Sequence, residues 1–216
     1  MKIACVGYRD WALKIYESID SDKHEILLQS SEEKYNEDSI RAFNPDLVLF
    51  YGWSKIIDDS ILNDFICLML HPSALPKFRG GSPLQNQIIN GVKDSKITIF
   101  RMNQELDAGD IVAQCDLNLR GSIDEIFYRL EDLGAKLTND FLENGISYKK
   151  QDHTKATYFK RRKPEESELT IDEISNQTSE YLFNKIRMLG DPYPNAFIKT
   201  KDGKKILIKL AEIEGN

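Results

Sequence analysis

His71-Pro72-Ser73-Ala74-Leu75-Pro76-Lys77-Phe78-Arg79-Gly80-Gly81-Ser82-Pro83 decides the fold, because it marks where an apolar run is made to stop. Ile66 to Leu70 reads as a strand, and it delivers a histidine straight into a proline- and glycine-rich segment. Proline fixes φ and offers no backbone N–H, so this segment is too rigid and too poor in donors to extend a sheet or a helix. A second strand-like run, Lys96 to Met102, opens onto Leu106-Asp107-Ala108-Gly109-Asp110. Both loops belong at one edge of one sheet. There His71 and Asp107 would form a proton-handling pair, the carboxylate orienting the imidazole and stabilising its charged form. The plainer alternative is a histidine packed at a strand end with Asp107 as a turn residue; the Pro/Gly/Arg loop beside His71 favours the pair.

Working outward, Lys2 to Gly7 is a buried strand, and Trp11, Ile15 and Ile19 then recur at helical spacing. His24 to Leu28 and Asp46 to Tyr51 are further strands, apolar enough to be covered on both faces as parallel strands are. This predicts an α/β fold with a Rossmann-like, mostly parallel twisted sheet. Gly7 alone is no dinucleotide fingerprint. Tyr51-Gly52-Trp53 leaves the third strand at its carboxyl end, where ligands bind in open α/β sheets. Ser82-Pro83 opens a helix to Asn90, beside Lys77 and Arg79, a setting that suits an anion as well as it suits an arginine bracing its own loop. Ser122 to Glu143 is the clearest helix, with a Ser122/Glu125 capping box and Ile126, Phe127, Leu130, Leu133, Leu137 and Phe141 on one face; it is expected to be scaffold. Lys149 to Lys155 reads as a polar boundary, dividing residues 1–150 from a C-terminal appendage, 151–216. That appendage is expected to hold one amphipathic helix through Ile174, Thr178, Leu182, Ile186 and Leu189, then a hairpin around Asp202-Gly203.

Composition limits the function classes. The 216 residues carry 29 Lys and Arg against 35 Asp and Glu, a net charge of −6, which argues against wrapping a long polyanion. Lys160-Arg161-Arg162-Lys163 is the concentrated basic run, either an anion site or a solvated face. Cys5, Cys67 and Cys115 are widely spaced in apolar contexts, as small buried thiols are, and the scattered His24, His71 and His153 make no metal spacing. No signal segment or membrane-spanning run is evident, so the expectation is a soluble, cytoplasmic protein.

His71-Pro-Ser-Ala-Leu-Pro-Lys-Phe-Arg-Gly80, Ile97-Thr-Ile-Phe-Arg-Met102 and Leu106-Asp-Ala-Gly-Asp-Ile111 together resemble the signature of the formyltransferases that use N10-formyltetrahydrofolate. Tyr158-Phe-Lys-Arg-Arg-Lys-Pro-Glu165 and Asp191-Pro-Tyr-Pro-Asn-Ala-Phe197 resemble segments that follow the catalytic domain in several members, so the resemblance covers residues 1 to about 212. It implies His71 and Asp107 as catalytic residues, Tyr51, Gly52, Trp53 and Asp110 at the folate, and Lys77, Phe78, Arg79, Gly80 and Ser82 at the acceptor. The family pattern reads Asn-x-His, with the asparagine helping to hold the formyl oxygen; here Met69 stands in its place, and a thioether cannot donate a hydrogen bond. That role would pass to His71, a backbone N–H, or an amide such as Gln85, Asn86 or Asn103.

The resemblance implies formyl transfer to a primary amine, first a dTDP- or UDP-linked deoxyamino sugar, with folate and nucleotide sugar as the partners; the expectation of no nucleic acid comes from the net charge of −6. The acidic balance and short C-terminal part favour that acceptor over methionyl-tRNA, and glycinamide ribonucleotide is a third. A formate-releasing hydrolase and a non-catalytic folate or sugar-nucleotide binding protein are the rivals from other classes. A homodimer through the C-terminal part is left open.

Overall fold

Seven short elements alternate from the first residue. β1 (Lys2–Val6), α1 (Asp10–Glu17), β2 (Glu25–Gln29), α2 (Glu37–Phe43), β3 (Leu47–Tyr51), α3 (Asp59–Asp64) and β4 (Cys67–His71) build the parallel half of the sheet in this computed structural model, which describes residues 1–191 and 193–215. Pro192, within the Asp191–Phe197 segment read from sequence, and Asn216, the end of the expected appendage, lie outside the described residues. β5 (Arg79–Gly80), α4 (Pro83–Ile89), β6 (Asp94–Arg101), β7 (Ile111–Asn118) and α5 (Ile123–Asn144) follow. The main sheet has the order β2-β1-β3-β4-β6-β7, and β6 and β7 are antiparallel to their neighbours. The expectation of a mostly parallel sheet therefore holds for its first four strands.

The period of two along each strand sorts side chains into two layers. Leu47, Leu49 and Tyr51 of β3 join Ile3, Cys5, Leu68 and Leu70 beneath α1 and α5. Val48 and Phe50 face the other way, with Ala4, Val6 and Cys67, onto Ile40, Ile61 and Trp53. Burial pushes the Cys5 and Cys67 thiols up to about 12, as suits inert core cysteines. β1 leads outward to β2 on one side and, later, β3 lies on its other side, so the chain reverses direction across the sheet between β1 and β3. That reversal opens a crevice at the carboxyl ends of these strands.

Past residue 150 the chain returns to the same core. β8 (Tyr158–Phe159) pairs in parallel with β5, a contact that turns the expected loop at Arg79–Gly80 into a short strand. Leu169, Ile186, Met188, Leu189 and Ala196 share the cluster that contains Ile3 and Leu49, so one hydrophobic core runs across the expected boundary. The single amphipathic helix expected there is two helices, α6 (Ile171–Asn176) and α7 (Ser179–Arg187). The break is made by Thr178, whose hydroxyl accepts the Tyr181 N–H and so caps a new helix instead of continuing the old one. β9 (Ala196–Lys199) and β10 (Lys205–Ile208) form the expected hairpin. Among the described residues, no helix is long and apolar enough to cross a membrane.

Candidate active site

His71 is the last residue of β4 and is 5% exposed. Its Nε2 lies 2.8 Å from the Phe78 carbonyl oxygen; a carbonyl only accepts, so Nε2 carries the hydrogen and Nδ1 is the ring atom left to exchange a proton. Asp107 Oδ2 stands 3.7 Å from that Nδ1, and the acid is 8% exposed. The same oxygen accepts the Gly80 N–H at 2.7 Å, which joins the two loops to each other. Sequence reading and structure thus put these two side chains in one place.

The geometry is held by unusual backbone. Phe78, Ser82 and Asp107 all adopt positive φ, at 58°, 50° and 50°, although none is glycine. Gly80 sits at φ 99°, and a Cβ there would lie 2.3 Å from the Phe159 carbonyl oxygen; strand β8 leaves no room for any other residue. Behind the loop, polar groups tie down its start. Ser73 Oγ donates to the Lys77 carbonyl at 2.7 Å, Thr98 Oγ1 donates to the Ser73 carbonyl at 2.7 Å, and Gln87 Nε2 donates to the Pro72 carbonyl at 2.7 Å.

His71 and Asp107 open onto a crevice of about 940 Å³, of the size that small-molecule sites occupy. Trp53, Leu62, Met69, Phe100 and Met102 give part of its wall an apolar lining, while Arg9, Lys160, Arg161 and Arg162 supply cationic groups elsewhere. Tyr193 belongs to that second part: the Arg9 guanidinium lies 5.6 Å from its ring centroid, and its ring stacks on Phe127 at 5.9 Å. Burial pushes the Tyr193 phenol up, opposed by the positive charge of Arg9 and Arg161. Among the described residues, two buried donors on crevice-lining residues, Trp53 Nε1 and Gln85 Nε2, have no protein partner in hydrogen-bond geometry.

Of the residues expected at the folate, Gly52 and Trp53 line the crevice. Tyr51 does not: it is fully buried, stacks on Tyr16 and pairs its hydroxyl with Thr138 Oγ1 at 3.2 Å, because the strand alternation turns it into the core. Asp110 also stays out of the wall, its carbonyl accepting the Arg101 N–H. Of those expected at the acceptor, Gly80 and Ser82 line the crevice, and Lys77, Phe78 and Arg79 do not. Lys77 is exposed. Phe78 contributes its carbonyl to His71 while its ring stacks on Phe159 at 4.7 Å. Arg79 is fully buried, with NH1 donating to the Tyr158 hydroxyl and NH2 to Gln151 Oε1, each at 2.7 Å. The bracing alternative for Arg79 is the one the geometry shows. Phe127 and Leu130 line the crevice as well, so α5 is more than scaffold. Arg9 and Gln151 carried no sequence signal, since neither sits in a motif. Among the described residues, no three His, Cys, Asp or Glu side chains are grouped to hold a metal ion.

Comparison with known proteins agrees with this fold. The family model described as formyl transferase matches residues 16–141. A methionyl-tRNA formyltransferase from Thermotoga neapolitana is 37% identical over 174 residues, covering 76% of this chain and 54% of that protein. The solved methionyl-tRNA formyltransferase from Clostridium thermocellum superposes with a TM-score of 0.84 at 32% identity, over 96% of this chain and 97% of that one. A sugar N-formyltransferase from Shewanella sp. shares the fold, with a TM-score of 0.76 at 21% identity over 100% of this chain and 99% of that one. The chain spans between 54% and 65% of the length of the curated relatives it matches.

Proposed function

This chain belongs to the formyl transferase family, and from that membership we propose that it moves a formyl group from N10-formyltetrahydrofolate to the primary amine of a small anionic acceptor, a nucleotide-linked amino sugar. The observation that carries the reading is the convergence of the His71–Asp107 pair and the Arg9, Arg161 and Tyr193 group on one crevice. The apolar wall of Trp53, Leu62, Met69, Phe100 and Met102 fits a flat pteridine, and the unpartnered Trp53 Nε1 offers such a ring a donor. Tyr8, Tyr35 and Phe50 pack around Trp53 and fix its plane. At the cationic part, Arg9 and Arg161 suit a diphosphate, and the Tyr193–Phe127 stack offers an aromatic face to a base.

The co-substrate supplies an activated one-carbon unit whose carbonyl carbon is open to attack by an amine. Asp107, held by the Gly80 N–H, takes the proton that the attacking amine loses. His71, with Nε2 fixed on Phe78, holds its Nδ1 beside that carboxylate and relays the proton toward the departing folate nitrogen. The negative charge that develops on the formyl oxygen needs a donor that Met69 lacks. The Asn86 amide is already committed to the Gly81 and Lys160 carbonyls, which leaves His71, Gln85 and Asn103 on the crevice wall for that role.

Methionyl-tRNA as acceptor is the second reading, favoured by the names of the relatives at 30% identity and above. Incubating the protein with N10-formyltetrahydrofolate and either a panel of UDP- and dTDP-linked amino sugars or methionyl-tRNA separates the two. A gain of one formyl unit on a sugar nucleotide by mass spectrometry supports the first reading. Formylation of methionyl-tRNA alone overturns it.

A further inference from the structure

Asp107 needs more than its loop to keep its position. A non-glycine residue at φ 50° is held there only when its surroundings over-determine it, and the hydrogen bonds on its carbonyl side show what does so. Gln151 Nε2 donates to the Asp107 carbonyl at 3.0 Å and to the Gly109 carbonyl at 2.7 Å, using both of its hydrogens to fix the turn on either side of Ala108. Gln151 Oε1 accepts from Arg79 NH2 at 2.7 Å. Arg79 is fully buried and Gln151 is 5% exposed, so water does not compete for these bonds. The next residue after Arg79, Gly80, donates its N–H to the Asp107 carboxylate. The result is a closed circuit: carboxylate to Gly80, through Arg79 to the Gln151 amide, and back to the Asp107 carbonyl.

We propose that Gln151, backed by Arg79, is a positioning residue for the reaction, clamping the Asp107 turn so that its carboxylate meets His71. The proposal rests on the formyl-transfer reading for its kinetic arm but not for its structural one. Gln151 does not itself line the crevice and has no hydrogen bond to His71; it reaches the site through the Asp107 carbonyl. It lies in the stretch that reads as a polar boundary, and its work is to carry the order of the β5–β8 pairing into the acid's backbone. Arg79 has no carboxylate within ion-pair distance among the described residues; neutral oxygens of Gln151 and Tyr158 and, at 3.3 Å, His153 Nδ1 are its partners.

Gln151→Glu isolates the clamp. A glutamate keeps an acceptor for Arg79, now as an ion pair, but has no N–H for the Asp107 and Gly109 carbonyls and sets a negative oxygen against them. A displacement of the acid by an ångström is enough to lower kcat by about 10²-fold. The expected result is that loss with KM for both substrates within about twofold, a shifted pH–kcat profile, and no further loss when Gln151→Glu is added to Asp107→Asn. Hydrogen exchange at the Gly80 amide should accelerate about tenfold as its carboxylate partner moves away. A folded Gln151→Glu protein with unchanged kcat and unchanged Gly80 exchange overturns the proposal, as does an equal loss in the Asp107→Asn background. If Gln151→Glu does not fold, Arg79→Lys, which keeps the charge and loses the two-pronged contact, must give the same two signatures or the proposal fails. Absence of formyl transfer by the unaltered protein would defeat the functional reading alone, since Gly80 exchange still tests the clamp.

Discussion

Helix α5 and the loop from Pro72 to Gly81 follow opposite building rules. The helix runs 22 residues in one regular conformation, opened by the Ser122/Glu125 capping box, with Ile126, Leu130 and Phe141 buried on one stripe. Local preference agrees with the final structure except at Gly134, a poor helix former in mid-helix, where a Cβ would meet the Ile15 side chain. The loop breaks local preference repeatedly: Phe78 sits at positive φ, a buried arginine points inward, and the order comes from distant segments, Gln151, Thr157 and Phe159. The helix is specified by its own sequence and packs its apolar stripe on the main core. The loop is ordered because other parts of the chain impose a shape on it, and that shape sets a histidine and an acid side by side.

If the strained region is the working one, the largest effects must fall there and on rate. His71→Ala and Asp107→Asn should each lower kcat by about 10³-fold, about 4 kcal/mol of transition-state stabilisation, while the melting temperature moves by only a few degrees. Asparagine keeps an acceptor for the Gly80 N–H, so the Asp107→Asn loop stays closed and the loss reads out chemistry. Single-turnover kinetics with the accepted amine measure it. Near-normal turnover in either variant would break the contrast between the two regions.

The next effect falls on stability and marks how tightly the second loop is built. A Cβ at Gly109 would lie 1.6 Å from the Arg101 carbonyl oxygen, a backbone atom that cannot step aside. Gly109→Ala should cost about 3 kcal/mol in urea unfolding, among the larger single-residue losses. A change under about 0.5 kcal/mol would mean the loop yields more easily than its contacts imply. Smaller again, Arg9→Ala should raise KM for an anionic acceptor about tenfold and leave kcat near normal, because the loss is of one charge-assisted contact that is equal in ground and transition states. A fall in kcat with KM unchanged would move Arg9 from acceptor binding to the chemistry.

The same contrast explains what could be read from sequence. Helix α5, its cap, the strands of the parallel half and the His71–Asp107 pair all rest on local signals: period, capping residues, a proline-rich stop. The direction of the Tyr51 side chain is not legible, because a residue at a strand's end can face either layer, and only the register of β3 against β1 and β4 turns it inward to Tyr16. As cations beside a helix start, Lys77 and Arg79 suit an anion and a braced loop equally, and what decides for bracing at Arg79, its contacts with Gln151 and Tyr158, lies more than seventy positions away. Thr178 fits a helical stripe by spacing, whereas its hydroxyl caps the start of a new helix. Arg9 became a crevice residue only through the reversal of strand order between β1 and β3.

The smallest effect belongs to the helix and tests whether it is only support. Ser122 Oγ accepts the Glu125 N–H at 3.3 Å and Glu125 Oε2 accepts the Ser122 N–H at 2.8 Å, so Ser122→Ala removes one half of the box and should cost about 1 kcal/mol by thermal or chemical unfolding. Phe127 lies little more than a turn beyond that cap, stacked on Tyr193 in the cationic part of the crevice. Fraying of the first turn would reach this ring before it reached His71, which sits on a different element. Ser122→Ala should therefore leave kcat unchanged and raise the acceptor's KM by no more than about twofold, the size of effect expected when a small stability loss is partly local. A drop in kcat larger than that rise in KM would show that the regular helix and the strained loop are energetically coupled, and the division between a self-sufficient region and an imposed one would fail at the place where the two meet the crevice.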